Sequence, residues 1–400
     1  MMRAKQLKFL LSVVSFSGSG KRKSEENDAL FLKDGFLLYF GLDWFVKFKF
    51  LHQVQGSISF FKFKKFVQSF HGQEMVELID QGNQVALASN GKVVGFLPFA
   101  EPCQINEDSE EYSKPVGVFS YGLIRALEEA SHFTGSDEFR PSLSYVALDN
   151  HVAATDGHIL FYRQIGKSYS QHSFPVPYSN QSSRSELGDW LPEGEPLLIS
   201  RTSIQYLARL GMEVETSLVY FKSQTEPKQR RKWDGKFLRF EVQGIQFFQK
   251  CFDERYPKWR NAVPDQIEHE YQSFLVEKAD LMAGIKSAAL QASVVTKAVR
   301  LMLTHDQVEI SSKDPEFGSI FHKAIPCLPL GMELPVCIPG IESSELILGS
   351  EPLVIGFNAE LLLKVLRKQN LPHVLVQAKS PTQAVIINRE YLIMPLILRA

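Results

Sequence analysis

The sequence contains few features of redox or metal chemistry. Four of its 400 residues are cysteine, and they form no Cys-x-x-C pair and no Cys/His spacing typical of zinc. We therefore expect a cytoplasmic protein with reduced, buried thiols and with no bound metal or cofactor. Apolar runs of about 18 residues are also missing, so no membrane-spanning helix is expected.

Motifs of common enzyme classes are missing as well. The chain has no Gly-x-Ser-x-Gly, no P-loop and no Gly-x-Gly-x-x-Gly. His132, His151 and His158 lie near one another in sequence, and Asp156 lies two residues before His158, but no His-x-x-x-His and no carboxylate pair accompanies them. A catalytic Asp156/His158 pair would need a third partner and a pocket. We therefore expect no catalytic site.

Neither sign of charge dominates. The chain has 44 Lys and Arg against 45 Asp and Glu, a formal net charge of −1. Such a protein does not condense on nucleic acid through bulk charge, so any contact must come from local placement of cations. The densest basic cluster lies in 226–236, between two predicted strands. We expect an exposed hairpin tip there, with a nucleic-acid patch as the alternative.

The first twenty residues allow two interpretations. Basic residues followed by a short apolar run loosely resemble a secretory signal, but the run contains Ser12 and no Ala-x-Ala site follows. Leu7, Leu10, Leu11 and Val14 instead fit one face of a helix. We therefore expect this segment to form the first helix of the fold.

The predicted elements follow one order three times: helix, strands, helix, strands. In the first hundred residues, Asp34-Gly35 and Asn90-Gly91 between apolar runs indicate two hairpins. The acidic segment 103–117 is interpreted as a linker. We expect three domains, at 1–103, 111–255 and 265–400.

Each unit is expected to have an α+β fold with two helices on one face of an antiparallel sheet, because the strands alternate and each helix has one apolar face. Units joined edge to edge form a curved half-ring, with helices inside, that a second copy closes. The helix faces directed away from the core are weakly basic, which suits sequence-independent contact with phosphates. Glu128 and Glu129 interrupt this pattern, and a solvated helix surface is the alternative. The residues expected to face DNA are Lys5, Lys8, Lys62, Lys65, Arg125, Arg201, Arg209, Lys286, Lys364, Arg367 and Lys368.

Several segments resemble the bacterial DNA polymerase III beta subunit, the sliding-clamp family. FTGSDEFRPSLSYVALD (133–149) and VAATDGHIL (152–160) are similar to the family's Asp-Glu-x-Arg segment and Ala-Thr-Asp-Gly-His-x-Leu hairpin. CFDERYPKWRNAVP (251–264) resembles its connector. The remaining matches are KDPEFGSI (313–320), FNAELLLKVL (357–366) and YLIMPLILRA (391–400).

The resemblance implies a head-to-tail homodimer of three-domain subunits, which forms a six-domain ring around duplex DNA. Such a ring is a processivity factor and not an enzyme. It tethers the replicative polymerase and other DNA enzymes, and a separate ATP-driven loader opens it. Arg140 of the Asp-Glu-x-Arg segment joins the residues expected to face DNA. The first hundred residues match only in element order, so the alternative is a clamp-derived scaffold that binds peptides without encircling DNA.

In this family the hairpin at Asp156-Gly157 helps to form a pocket for short peptides of client proteins, and His158 begins the next strand. An apolar floor with a few backbone groups suits an extended peptide, and Met and Leu adapt to varied partners. The pocket residues implied by the resemblance are Leu143, Thr155, Gly157, His158, Ile159, Leu160, Pro257, Asn261, Ala262, Leu392, Met394, Pro395, Leu396 and Leu398.

The chain departs from the family pattern around this pocket. The family often has Arg where this sequence has Ile159, Asn261 and Ile397, and a larger aliphatic residue at Ala262. The rim is therefore expected to be less basic and more apolar, with a different peptide preference.

Overall fold

The computed structural model describes residues 2–14, 29–41, 43–100, 109–165, 196–223, 235–252, 254–264, 267–328, 347–348 and 352–397. Leu398 and most of the basic cluster in 226–236 lie outside these residues. Among the helices described, none is both long and apolar enough to cross a membrane.

Six helices of at least ten residues lie in the described part of the chain. Their bounds are α1 Ala4–Val14, α2 Phe60–Ser69, α3 Tyr121–Ser131, α4 Arg201–Leu210, α5 Lys278–Leu290 and α6 Ala359–Lys368. Shorter turns of helix occur at Pro141–Ser144, Trp259–Ala262 and Ile267–Glu270. Helix α1 confirms the expected N-terminal helix, since Leu7, Leu10 and Leu11 are all buried.

The strands confirm the repeated order of elements. The first repeat contains β1 Met2–Arg3, α1, β2 Ala29–Lys33, β3 Phe36–Phe40, β4 Trp44–Lys49, β5 Gly56–Ser59, α2, β6 Met75–Asp80, β7 Gln84–Ser89 and β8 Lys92–Pro98. The second contains β9 Ser109–Phe119, α3, β10 Tyr145–Leu148, β11 His151–Thr155, β12 Ile159–Gln164, β13 Leu197–Ser200, α4, β14 Val214–Ser223, β15 Gly235–Val242 and β16 Ile245–Lys250. The third contains β17 Gln272–Glu277, α5, β18 Ala298–Leu303, β19 Gln307–Lys313, β20 Ile320–Leu328, the short β21 Ile347–Leu348, β22 Leu353–Asn358, α6, β23 His373–Ala378, β24 Val385–Ile387 and β25 Tyr391–Ile393.

The second helix of each repeat begins with the same kind of cap. Ser59 Oγ accepts from the Lys62 N–H at 3.2 Å, and Ser200 Oγ accepts from the Ser203 N–H at 3.1 Å. Asn358 Oδ1 does the same for the first turn of α6. A short polar side chain at this position satisfies an N–H group that has no partner within the helix. The caps therefore mark equivalent positions in the three repeats.

Two of the predicted hairpins have tight turns, and the predicted linker is wrong in part. Asp34-Gly35 and Asn90-Gly91 have positive φ at both residues, as a type I′ turn requires. The acidic segment 103–117 was expected to be a linker, but from Ser109 it forms β9, which pairs along its length with β14. Acidic composition suggested a loop, but backbone pairing with a neighbouring strand outweighs that local preference.

The chain divides into two compact units. Unit 1 comprises 1–128 and 175–254. It contains a sheet in the order β1-β6-β7-β8 and an eight-stranded sheet in the order β5-β2-β3-β4-β16-β15-β14-β9. The second sheet joins the first two repeats through β4 and β16, where Phe45 stacks on Phe248 at 4.3 Å between ring centroids. Aromatic burial of this kind accounts for part of the phenylalanine content of the first repeat, including Phe45, Phe48 and Phe63.

Unit 2 comprises 129–174 and 255–400. Its strands follow the order β10-β11-β12-β25-β24-β23-β17-β20-β19-β18-β22. Here β12 of the second repeat pairs with β25 of the third. Helices α5 and α6 pack against each other. In both units, one sheet contains strands from two repeats, so the sheets do not divide at the predicted domain boundaries. The three-domain division therefore stays a prediction.

Candidate functional site

The hairpin at Thr155–His158 is built by two side chains. Asp156 Oδ1 accepts from the N–H groups of His158 at 3.0 Å and Ile159 at 2.9 Å. Thr155 Oγ1 accepts from the Gly157 N–H and donates to the Ile159 carbonyl. Gly157 has φ of 91°, which favours glycine. The carboxylate thus orders a turn, and no metal-binding group of His, Cys, Asp and Glu occurs among the described residues.

The turn is one residue longer than predicted, and its second carboxylate oxygen has a distant partner. His158 was expected to begin the next strand, but β12 begins at Ile159 because Asp156 holds the His158 N–H in the turn. Lys364 of α6 donates to Asp156 Oδ2 at 2.8 Å and lies over the Phe133 ring at 5.5 Å. Lys364 was expected to face DNA, and its ammonium group is instead bound inside unit 2.

The end of β25 lies beside the hairpin. The β12–β25 pairing places Ile159 opposite Ile393 and Leu160 opposite Leu392. Beyond the strand, the Met394 N–H donates to the His158 carbonyl at 3.0 Å. The register therefore brings the C-terminal segment against the turn.

A charged network supports the same pair of strands. The Arg163 guanidinium binds both carboxylate oxygens of Glu390, at 2.5 and 2.6 Å, and Glu129 at 2.9 Å. The Tyr391 hydroxyl donates to Glu129. Burial raises the pKa of Tyr391, and the nearby Glu129 carboxylate raises it further. The network therefore fixes β12, β25 and the end of α3 within unit 2.

The connector 254–264 packs against the strands that carry the hairpin. The Trp259 ring contacts His151 at 5.4 Å and Tyr162 at 6.0 Å between centroids. Arg260 binds both oxygens of Asp149 at 2.8 Å. Burial lowers the pKa of His151, and the Arg260 charge lowers it further. These contacts hold the connector on β11 and β12.

The residues implied as a pocket fall into a buried set and an exposed set. Leu143, Ile159, Leu160 and Leu392 are buried. Thr155, Pro395 and Leu396 are half-buried. The exposed members are Gly157, His158, Pro257, Asn261, Ala262 and Met394, of which Met394 is 51 % exposed.

One of these placements corrects an expectation. Ile159 was expected on the rim, but its side chain is 1 % exposed because β12 directs it into the core. Ile397, by contrast, is 80 % exposed. An apolar side chain thus occupies the exposed surface at this end of the chain.

The other basic residues expected to face DNA differ in their exposure and in the contacts that they make within the protein. Arg125 forms an ion pair with Glu128 at 2.8 Å, and Arg140 forms one with Asp137 at 2.8 Å. Lys8 donates to the Phe70 carbonyl at 2.6 Å. Lys368 is half-buried. The other members of the set, all exposed, are Lys5, Lys62, Lys65, Arg201, Arg209, Lys286 and Arg367.

Three contacts were not predicted: Lys364 with Asp156, Arg163 with Glu390, and Tyr391 with Glu129. Their partners lie 208, 227 and 262 residues apart in sequence. The available signal was weak and consisted of single polar residues in apolar segments, such as Arg163 at the end of β12. The sequence does not indicate which distant residues these side chains contact.

Comparison with solved structures identifies the architecture. A DNA polymerase sliding clamp from Pseudomonas aeruginosa matches with a TM-score of 0.67 and 14 % identity, covering 99 % of both chains. The Helicobacter pylori beta clamp bound to a DNA ligase peptide matches with a TM-score of 0.64 and 17 % identity, again over 99 % of both chains. The chain has the sliding-clamp fold.

A third sliding clamp extends the likeness to another organism. The Bartonella birtlesii clamp bound to griselimycin gives a TM-score of 0.66 and 16 % identity, over 99 % of this chain and 98 % of that one. The sequence itself matches no known family profile and no curated protein. The sliding-clamp fold is thus conserved here at low identity.

Proposed function

We propose that the protein is a DNA sliding clamp, in which two copies close a ring around duplex DNA and tether DNA polymerase and other DNA enzymes. The observation that carries this proposal is the threefold order of elements in a chain whose fold matches sliding clamps over 99 % of its length. In this function the protein is a cytoplasmic processivity factor without a catalytic site, and an ATP-driven loader opens the ring.

The way the repeats join within the chain supports ring closure. The same kind of pairing joins the repeats at both junctions. One partner is the third strand after the first helix of a repeat, and the other is the third strand after the second helix of the following repeat. These pairs are β4 with β16 and β12 with β25. The strands left over by this rule are β8 of the first repeat and β20 of the third, of which residues 320–326 lie outside the two-residue pairing with β17. A head-to-tail dimer pairs β20 of one copy with β8 of the other, twice, and so closes the ring.

The edge at β8 has the character of an interface. In the described part of the chain, β8 pairs with β7 alone. Val93, Val94 and Phe96 on this strand are 48, 54 and 51 % exposed. An exposed apolar edge strand is a site for pairing with another chain. We assign it to a second copy because the repeat's own joining rule supplies the matching strand.

The end of the third repeat near β20 is also apolar. Leu290, Val294 and Val295, at the end of α5 and just beyond it, are 83, 76 and 85 % exposed. Phe317 and Ile320, before and at the start of β20, are 80 and 71 % exposed. This second apolar edge is the counterpart that a head-to-tail dimer needs.

The site beside the Thr155–His158 hairpin is proposed to bind short peptides of client proteins. Its buried leucines provide an apolar floor, and Met394 and Ile397 provide adaptable apolar contacts at the surface. The Helicobacter pylori clamp, which shares this fold, was solved with a DNA ligase peptide. DNA contact is proposed through the exposed cations of the helices, independent of sequence.

Retention on DNA of different topology tests the proposal. The protein is loaded on a nicked circular plasmid, and half of the sample is then linearised. A ring stays on the circle and runs off the linear form. Equal retention on both forms contradicts encirclement. A solution mass of one subunit supports the alternative, a peptide-binding scaffold that does not encircle DNA.

A further inference from the structure

Phe9 of α1 is a large apolar side chain on a lysine-rich surface of unit 1. Its side chain is 44 % exposed, although the neighbouring Leu10 and Leu11 are buried. Two clefts, with volumes of 360 and 490 Å³, both include Phe9 in their walls. The exposed ring therefore belongs to two concave surfaces at once.

Each cleft combines apolar surface with two lysines. The smaller lies between α1 and α2, where Lys8 and Lys64 accompany Gln68. The larger lies between α1, β4 and the turn that joins β15 to β16, where Lys5 and Lys49 accompany Phe48 and Ile245. Lys5 and Lys49 are exposed.

Among the residues that the structure describes, no Asp or Glu lines either cleft. Helices α1 and α2 together contain five lysines and no acidic residue. Glu74 interacts with the Lys8 charge, but its carboxylate already accepts from the Ser89 hydroxyl and the His71 N–H. The described part of this surface is therefore positively charged and attracts anionic ligands.

We propose that these two clefts form a binding site for single-stranded nucleic acid, in which unpaired bases contact the Phe9 ring and phosphates lie against Lys5, Lys49 and Lys64. Stacking of bases on aromatic rings beside a cationic groove is how sequence-independent single-strand binding works. Duplex DNA satisfies the lysines but not the ring, because its bases are already stacked. An acidic peptide without aromatic residues satisfies the lysines as well, but it offers no planar ring for Phe9.

The inference deepens the proposed function, because Lys5 and Lys8 belong to the residues expected to face DNA. It places unpaired DNA at α1 and α2, whereas duplex DNA is proposed to contact the exposed cations of all the helices. It does not depend on ring closure, since a single unit 1 contains both clefts.

Fluorescence anisotropy of the full chain with a labelled oligothymidylate tests the site, with a duplex of equal length and a polyglutamate peptide as competing probes. Phe9→Ala is expected to weaken oligothymidylate binding about tenfold and to leave duplex binding unchanged, because it removes stacking and no charge. Lys5→Gln combined with Lys49→Gln is expected to weaken both and to lower the single-strand salt slope by about 1.4.

Matched variants separate these effects from misfolding. Phe9→Leu keeps an apolar side chain without a ring and is expected to behave as Phe9→Ala does, with an unchanged circular dichroism melt. Phe139→Ala removes an exposed phenylalanine of unit 2 (96 % exposed) and is expected to leave binding unchanged. Wild-type oligothymidylate affinity in Phe9→Leu, or equal displacement by polyglutamate, overturns the inference. If the protein is not retained on the circular plasmid but still binds oligothymidylate in a Phe9-dependent way, the ring is contradicted and the single-strand site is supported.

Discussion

Lys364 and Asp156 form an ion pair that ties α6 to the Thr155–His158 hairpin. Their charged atoms lie 2.8 Å apart, and the side chains are 33 and 16 % exposed. The same carboxylate accepts the two N–H groups that shape the turn. A helix of the third repeat thus positions a turn of the second.

The Lys364–Asp156 pair predicts a defect at the proposed peptide site. Lys364→Met is expected to lower the free energy of unfolding by about 1 kcal/mol, since a partly exposed ion pair contributes little more than that. It is also expected to weaken peptide binding several-fold, because the turn loses its anchor. Urea denaturation and peptide titration measure the two effects. Lys364→Arg keeps the charge and serves as the control. Peptide affinity equal to wild type in Lys364→Met contradicts the positioning role.

The Arg163 network predicts a much larger stability effect. Arg163→Met leaves two carboxylates, Glu129 and Glu390, without their shared cation. Because these side chains are 20 and 28 % exposed, the expected cost is about 2–3 kcal/mol, below that of breaking a fully buried pair. Tyr391→Phe removes one hydrogen bond to Glu129 and is expected to cost about 1 kcal/mol. Denaturant titration followed by circular dichroism ranks the two. Comparable losses in both variants would show that the guanidinium is not the centre of the network.

Burial of His151 predicts a pH dependence of stability. Burial and the Arg260 charge lower its pKa in the folded state below the ordinary value of 6.5. Above that value both states are neutral and the contribution to stability is complete. As the pH falls below about 6.5, the unfolded state gains the proton first, so stability declines. His151→Gln is expected to flatten this decline in urea midpoints measured between pH 7.5 and 5. His305→Gln, at a histidine that is 74 % exposed, is the control, and an equal flattening there would remove the assignment to His151.

The peptide site predicts a selective loss in Met394→Ala. Met394 is 51 % exposed beside the hairpin, so its truncation removes apolar contact area without opening the core. Binding of a DNA ligase peptide is expected to weaken by about tenfold, near 1.4 kcal/mol, with the dimer intact. Calorimetric titration measures the affinity, and light scattering measures the mass. Unchanged peptide affinity would place the site elsewhere.

The apolar edge at β8 predicts dissociation of the dimer in Phe96→Lys. A lysine on an edge strand opposes pairing with another chain, and Phe96 is 51 % exposed in the single copy, so folding is preserved. Analytical ultracentrifugation is expected to show one subunit mass for this variant and two for the wild type. Thr382→Lys, at an exposed turn, is the control for added charge. A dimer that survives Phe96→Lys rules out this edge.

Local chemistry made several elements predictable from the sequence. Asp34-Gly35 predicts a type I′ turn because both residues tolerate positive φ, and Asn358 predicts the start of α6 because its side chain caps N–H groups. Each of these signals lies within a few residues of the feature that it determines. The prediction of a linker at 103–117 was wrong because it used only local composition, whereas the pairing of β9 with β14 depends on a segment far away in sequence.

By itself, the sequence determined the threefold order of helices and strands and the turns between them, because periodicity and turn residues act over short distances. Tertiary structure alone decided that Lys364 binds Asp156, that Arg163 lies between Glu129 and Glu390, and that Ile159 is buried. These outcomes depend on strand register and helix packing between segments more than a hundred residues apart. A sequence states which side chains exist, but the free energy of burying them together selects the partners.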